Sequence, residues 1–548
     1  MVRHIKAKLL LIIILIITLV SPISAFAKRV NMTYLYAGNT SLYINYVDRS
    51  KENINIVCPD YFEIFENGDL KLLPKIDRDF VDAMHERGVK VVPFLSNHWD
   101  RSLGRKALQN QVSLVSQLVS AVSQYGFDGV NIDIENLTHD DRDQYTSFIR
   151  LLRQSMPPDK TVSIAVAANP YGVYYGWAGS YDYKALGEIC DYIMIMAYDE
   201  HYYGSKPGPV ASSSFTENSL KYALKMIPPE KLLLGVPFYG RYWKEGASKG
   251  GSGITCYDAE SLINKYKSMV SYDNSTQTAK AVVTIGANDP KPVVWGGVVL
   301  GAGTYTIYYD SDQSLRYKLS LVQKYNILGT GSWCLGQESL KTWDFYKKWL
   351  NGKYFSDILH HYAQDDILDM ASKGWMIGVA PDKFAPNRIL TRAEAAVILV
   401  RALGLENETP AEHFSDTKNH GFRDIIGIAR RYQIILGDGQ NRFWPDSPLT
   451  REQMAMILDR ILVLPNPVTK NLFKDISPSK NPLSYDSILR LANNGIVVGD
   501  DKGNYNPLGI VRRGEMAAFM NRSSVYEMTY PAKRDPSIPS PEVIVSPR

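Results

Sequence analysis

The sequence predicts an α/β protein whose larger part is a (β/α)8 barrel with a small α+β insertion, followed by a mainly α-helical module of three repeats. Three observations carry this expectation. Eight short apolar runs alternate with amphipathic stretches between about residues 29 and 351. A Gly-, Thr-, Val- and Tyr-rich stretch over about 244–318 is longer than one helix needs and precedes the last run, which marks an inserted β-rich subdomain. After Gly352 a Phe-x-Asp motif returns every 59 residues, at Phe355, Phe414 and Phe473.

The 548 residues are 45% hydrophobic and 22% charged, ordinary for a soluble globular chain. The formal net charge is +4, and the first 27 residues hold Arg3, Lys6 and Lys8 with no acid. The remainder is therefore close to neutral, without the broad basic surface that nucleic-acid binding needs. Those basic residues precede an apolar run from Leu9 to Val20 and an Ala25-Phe26-Ala27 end, the parts of a secretory signal peptide over 1–27. An uncleaved anchor is the alternative, but a span needs about 20 apolar residues. No stable membrane span is expected once the signal is removed. Cys58, Cys190, Cys256 and Cys334 show no CxxC spacing. Three lie in or beside apolar strand-like runs, where buried free thiols are the default; the count neither requires nor excludes one disulfide, and neither metal nor cofactor is implied.

The expected barrel strands are Met32–Ala37, Ile54–Cys58, Val89–Leu95, Gly129–Ile134, Thr161–Ala167, Tyr192–Tyr198, Leu232–Tyr239 and Gly329–Leu335. Helical patterns at Asn110–Gln124, Arg142–Gln154 and Glu217–Met226 separate several of them. The most informative run is Phe127-Asp128-Gly129-Val130-Asn131-Ile132-Asp133-Ile134-Glu135-Asn136. Because side chains alternate along a strand, Val130, Ile132 and Ile134 share one face and Asn131, Asp133 and Glu135 the other. Burying three polar groups costs several kcal/mol, so packing alone does not explain them. Three readings are open: a solvated acidic edge, a calcium loop, or a carboxylate pair. The calcium loop has Val and Ile where polar spacers belong. In the pair, Asp133 would keep Glu135 protonated as a general acid.

Asp128-Gly129-Val130-Asn131-Ile132-Asp133-Ile134-Glu135 resembles the D-G-x-D-x-D-x-E signature of glycoside hydrolase family 18. Met194-Ile195-Met196-Ala197-Tyr198-Asp199 is similar to that family's M-x-x-Y-D strand, and Gly235-Val236-Pro237-Phe238-Tyr239-Gly240-Arg241 to its G-x-P-x-Y-G-R strand. Trp333 stands where the family has a tryptophan on its last strand. The resemblance covers residues 29–351 and implies a retaining glycosidase in which the substrate's own 2-acetamido group is the nucleophile. It implies Glu135, Asp133 and Tyr198 as the catalytic residues. Asn131, Asp199, Tyr239, Arg241 and Trp333 are the implied substrate-binding residues. Asn131 replaces the usual Asp of chitinases. With Tyr198-Asp199-Glu200-His201 and Pro207–Ser212 it looks more like the spore cortex-lytic branch, which cuts N-acetylglucosaminides of peptidoglycan.

The C-terminal repeats are expected over 353–411, 412–470 and 471–526, with a Pro-rich tail at 527–548. An aromatic-x-Pro turn occurs at Phe384–Pro386, Phe443–Pro445 and Tyr505–Pro507. It is followed by Thr391-Arg392-Ala393-Glu394, Thr450-Arg451-Glu452-Gln453 and Arg512-Arg513-Gly514-Glu515. The first two read as capping boxes, and the third lacks the capping threonine. The pattern resembles surface-layer homology (SLH) domains, which implies that Arg392, Arg451 and Arg513 bind secondary cell-wall polysaccharide. The bland reading of each is a solvated helix-start arginine.

Together these expectations describe a secreted, wall-anchored glycosidase of the cell-wall surface of a Gram-positive-type bacterium. Its expected substrate is an N-acetylglucosamine-containing polysaccharide, foremost peptidoglycan, with chitin as the alternative. A non-hydrolytic glycan-binding protein or a structural surface-layer protein is the reading from another class.

Overall fold

The computed structural model describes residues 29–465 and 470–531. The expected signal peptide and most of the Pro-rich tail lie outside the described residues. The chain divides into two compact units that meet between Trp343 and Asp344.

The first unit is built on β1 (Val30–Leu35), β2 (Ile56–Ile64), β3 (Leu70–Leu72), β4 (Lys90–Val91), β5 (Phe94–Ser96), β6 (Gly129–Asp133), β7 (Thr161–Ala167), β8 (Tyr192–Met196) and β9 (Leu232–Pro237). An inserted five-stranded antiparallel sheet follows, from β10 (Tyr239–Lys244), β11 (Ser252–Thr255), β12 (Lys267–Asp273), β13 (Thr278–Ile285) and β16 (Gly303–Tyr309). A two-stranded ribbon of β14 (Val293–Val294) and β15 (Val298–Val299) precedes β16. The last barrel strand is β17 (Gly329–Trp333).

Pairing runs β1-β17-β9-β8-β7-β6-β5-β2 and returns through β1–β2, all parallel, which closes an eight-stranded barrel. β4 and β5 are one barrel strand broken at Val92-Pro93, where proline cannot donate to the ladder. β3 extends the mouth as an antiparallel hairpin on β2.

Helices α1 (Thr40–Arg49), α2 (Arg78–Glu86), α3 (Arg101–Gln109), α4 (Gln111–Tyr125), α5 (Arg142–Ser155), α6 (Tyr183–Ile189) and α7 (Ser213–Ala223) connect the strands. α8 (Cys256–Lys265) packs on the inserted sheet, and α9 (Asp312–Lys324) leads into β17. Side-chain caps set several starts. Ser212 accepts Phe215 N–H, so α7 begins four residues before the run read from the apolar pattern. The run expected as one strand over Leu232–Tyr239 is divided. Leu232–Pro237 stays in the barrel, and Tyr239 opens the strand that pairs with β11 and β16.

Inward-facing Met32, Tyr34, Ile56, Cys58, Phe94, Ala165, Met194 and Leu233 fill the barrel as a packed core, not a pore. All four cysteines are free and buried.

In the second unit, α10 (Thr342–Asn351) begins at the junction. Six helices follow: α11 (Gln364–Ser372), α12 (Arg392–Ala402), α13 (Arg423–Arg431), α14 (Arg451–Ile461), α15 (Tyr485–Asn493) and α16 (Arg513–Ser523). α12 packs on α13, α14 on α15, and α16 returns to α11, so the three repeats close into a ring. Each Phe-x-Asp motif has a double structural use. Phe355, Phe414 and Phe473 pack against Phe384, Phe443 and Tyr505 at 5.5, 5.4 and 5.2 Å. Asp357, Asp416 and Asp475 accept successive backbone N–H groups of the aromatic-x-Pro turns, for example Tyr505 and Asn506 on Asp475, both at 2.7 Å.

Candidate active site

β6 carries the acidic pattern through the barrel wall. Its ladder starts at Gly129, where φ is 152° and a Cβ would collide with the Thr161 backbone, so only glycine lets β6 and β7 approach. Asp128 precedes it at the amino end. Its Oδ2 takes Val91 N–H and lies 2.8 Å from His85 Nε2, which places Asp128 at the opposite end of the strand from Glu135.

Val130, Ile132 and Ile134 are fully buried on the helix side. On the barrel side, Asn131 is 0% exposed and both ends of its amide are held: Oδ1 accepts Tyr34 O–H at 2.8 Å and Nδ2 donates to Ser163 Oγ at 2.9 Å. Asp133 is also buried, and no group among the described residues hydrogen-bonds its Oδ1. A buried carboxylate oxygen left without a donor is costly, so the fold does not explain Asp133. Burial pushes the Asp133 carboxyl up to about 7.

Glu135 lies two residues past the ladder, half-buried at the carboxyl end of β6. Burial, then Asp133, then Asp199 push its carboxyl well above the usual carboxylate range. The backbone that carries it is pinned from two sides. Asn97 Oδ1 accepts Glu135 N–H at 2.8 Å, and Asn97 Nδ2 donates to the Glu135 carbonyl at 2.9 Å. The hydroxyls of Tyr145 and Tyr181 both donate to the Ile134 carbonyl at 3.2 Å.

The other expected residues fall around the same mouth. Tyr198, half-buried just past β8, has its hydroxyl held above its ordinary range by burial, Asp133 and Glu135, and its ring lies 6.1 Å from Tyr239. Asp199 Oδ1 collects three donors: Tyr239 O–H at 2.6 Å, Arg241 Nη2 at 2.7 Å and Arg241 Nε at 3.0 Å. Asp199, Tyr239 and Arg241 are therefore one ion-pair cluster. Trp333, at the end of β17, sits 5.3 Å from both Tyr34 and Tyr36, and its peptide bond to Cys334 is cis.

Sequence reasoning missed several residues of this mouth. Asn97 and Trp99 follow β5, and Trp99 meets Trp177 edge-to-face at 4.7 Å. Tyr34 and Tyr36 flank Trp333 from β1. Asn97 and Trp99 carry a signal, polar and aromatic residues within four positions of the end of an apolar run, where barrels keep their chemistry, whereas Tyr34 and Tyr36 fall inside the run Met32–Ala37 and carry none.

Asp133, Glu135, Tyr198 and Trp333 thus lie at the carboxyl ends of parallel barrel strands. The glycosyl hydrolases family 18 profile matches residues 32–338. The chain belongs to glycosyl hydrolases family 18. It is a glycoside hydrolase, and S-layer homology domain matches cover 354–396, 413–455 and 472–517. These repeats associate the family 18 barrel with the bacterial cell surface.

Among relatives of the family 18 barrel, an uncharacterized glycosylase of Bacillus subtilis, YvbX, is 26% identical over 337 residues, covering 59% of this chain and 92% of that protein. The cortical fragment-lytic enzyme of the same organism is 24% identical over 292 residues, covering 52% of this chain and 64% of that enzyme. The crystal structure of a chitinase from Chromobacterium violaceum superposes with a TM-score of 0.52 at 26% identity, covering 59% of this chain and 99% of the chitinase.

In the S-layer homology ring, both expected capping boxes form, at Thr391/Glu394 and Thr450/Gln453, while Arg512 makes no side-chain cap. The three arginines reach into the next repeat. Arg392 donates through Nε to Phe443 O and through Nη2 to Leu436 O, at 2.9 and 3.0 Å. Arg451 does the same to Tyr505 O and Val498 O, at 2.8 and 3.0 Å. Arg513 closes the ring on Phe384 O and Ile377 O, at 3.0 and 2.7 Å. Each guanidinium also lies over the aromatic ring of that next repeat, 4.6 to 5.0 Å from its centroid. Arg451 is further paired through Nη1 with Glu515.

Proposed function

We propose that this chain is a secreted, wall-anchored glycosidase that hydrolyses β-1,4 N-acetylglucosaminide bonds of peptidoglycan by substrate-assisted retention. The observation that carries the chemistry is the pairing of Glu135, held protonated by burial and by Asp133, with an Asp133 whose Oδ1 has no partner in the protein. Glu135 donates its proton to the glycosidic oxygen as the bond to the anomeric carbon breaks. The acetamido carbonyl oxygen of the same sugar attacks that carbon, so no protein nucleophile is needed. Asp133 Oδ1 receives the acetamido N–H and offsets the positive charge of the resulting oxazolinium ring. Water then opens the ring, giving its proton to the Glu135 carboxylate and restoring the acid.

Tyr198 orients the acetamido carbonyl, and Trp333 supplies an aromatic floor for the apolar face of the pyranose. Asn131 acts from beneath, holding the β6 backbone through Tyr34 and Ser163. Asp199, Tyr239 and Arg241 form the polar rim against which further sugar hydroxyls bind. In the ring of repeats, Arg392, Arg451 and Arg513 shape the grooves between repeats. The guanidinium edges of Arg392 and Arg513 not spent on carbonyls meet the anionic groups of a secondary cell-wall polysaccharide, whereas the third edge of Arg451 is taken by Glu515.

The likeness to a cortical fragment-lytic enzyme and the surface-layer repeats support peptidoglycan. The likeness to the Chromobacterium chitinase supports chitin as a second substrate reading. A non-hydrolytic barrel would have no need of an acid in this environment.

Glu135→Gln is expected to abolish release of reducing ends from purified wall while leaving wall retention intact; equal release by the variant removes Glu135 from the mechanism. Mass spectrometry of products from peptidoglycan and from chitin oligomers, side by side, decides the substrate.

A further inference from the structure

Strand β2 carries one more buried carboxylate that the chemistry above does not use. On β2, Ile56 and Cys58 point into the barrel core beside Tyr34 and Phe94. Strand alternation directs Asp60 the same way, two residues further toward the mouth. Asp60 is 6% exposed. Its Oδ2 is held by Lys75 Nζ at 2.9 Å, and no group among the described residues hydrogen-bonds its buried Oδ1.

Lys75 links this carboxylate to the backbone of Tyr36, the neighbour of Trp333. Lys75 Nζ also approaches the Tyr36 carbonyl at 3.4 Å, and the same carbonyl accepts Tyr43 O–H at 3.1 Å. The Tyr36 ring lies 5.3 Å from Trp333, and the residue is 40% exposed. The neighbouring charges are spoken for differently. Glu63 pairs with Lys71 at 2.6 Å and with His98 at 3.0 Å on the outer rim, so its carboxylate is satisfied where Asp60 is not. A purely structural ion pair with Lys75 would be met as well by a carboxylate at the surface, without an oxygen buried and unanswered.

We propose that Asp60, oriented by Lys75, is a substrate-binding residue whose Oδ1 accepts a hydroxyl or amide N–H from the sugar adjacent to the one over Trp333. The inference rests on reading the cleft as a glycan site, and it assigns a second subsite on the Tyr36 side. Carboxylates are apt for this because a single oxygen accepts from two vicinal donors of a sugar ring. A substrate that fills only the position over Trp333 does not reach it.

The test uses the full chain with Asp60→Ala and Asp60→Asn, each also combined with Glu135→Gln for direct binding. Titration calorimetry of the Glu135→Gln protein with N-acetylglucosamine tetramer is expected to show affinity falling about tenfold or more on adding Asp60→Ala, and less for Asp60→Asn, which keeps an acceptor. For the active protein, KM for the tetramer rises by a similar factor with kcat nearly unchanged, and a one-sugar fluorogenic N-acetylglucosaminide is unaffected. Tetramer affinity equal with and without Asp60→Ala, at a temperature where both proteins are folded by circular dichroism, overturns the inference. Turnover that survives Glu135→Gln overturns instead the assignment of the acid. The binding arm still reads Asp60 in that event.

Discussion

The side-chain amide of Asn97 grips the backbone of Glu135 on both sides, accepting its N–H at 2.8 Å and donating to its carbonyl at 2.9 Å. Asn97 is itself 0% exposed, and its Nδ2 also donates to Asp100 O at 2.8 Å. The acid therefore stands on a loop whose position is set by the neighbouring strand, not by its own. This is a positioning residue that touches no reacting atom.

Replacing Asn97 by Ala is expected to lower kcat by about ten- to a hundredfold with KM little changed, since a displacement of about 1 Å is enough for such a loss. The substitution also leaves two half-buried backbone groups without their partner, at a cost of up to about 1 kcal/mol each. Asn97→Asp keeps the acceptor for Glu135 N–H and recovers part of kcat. Initial rates on a fluorogenic chito-oligomer, with thermal melts to confirm folding, measure both. A uniform loss of active protein with unchanged kcat would mean a structural role only.

The proposed mechanism needs Asp133 ionised and Glu135 protonated, so kcat/KM is expected to be bell-shaped in pH. The rising limb follows Asp133, pushed up to about 7 by burial, and the falling limb follows Glu135 at higher pH. Both limbs belong to the coupled pair. Asn131→Asp adds a carboxylate beneath Asp133 while retaining the acceptor for Tyr34, and moves the rising limb to higher pH. A rate profile across pH 4–10 checks this.

Stability has the opposite sign. Because the folded-state pKa of Asp133 lies above its ordinary value of 3.8, the folded protein binds that proton more tightly than the unfolded chain. Stability is lost as pH rises from about 4 to about 7. Asp133→Asn is expected to raise Tm by several degrees at pH 8 and to make little difference at pH 4. Calorimetric scans of both proteins at the two pH values measure it.

Arg513 closes the ring from the third repeat onto the first, across 129 residues. Arg513→Met removes two hydrogen bonds to backbone carbonyls, that of Phe384 buried, and is expected to loosen Ile377–Phe384 and α16 together, leaving the barrel unaffected. Hydrogen exchange on the full chain should show faster exchange confined to those segments. Equal exchange would mean that apolar packing of α16 on α11 alone closes the ring.

The alternation along β6, the succession of the barrel strands along the chain, the repeat length and the two capping boxes are all legible in the residues alone. Each of these is written in spacings of two to four residues or in a recurring motif, and local geometry converts such spacings directly into faces and helix starts. No such spacing records that Asn131 faces Tyr34 from 97 residues away, that Asn97 meets Glu135 across 38, or that the repeat arginines reach into the next repeat. The buried position of Asp60 belongs with these. Such contacts depend on which strands lie side by side and in what register, and closure of a barrel or a ring sets that register through pairings that no local pattern records.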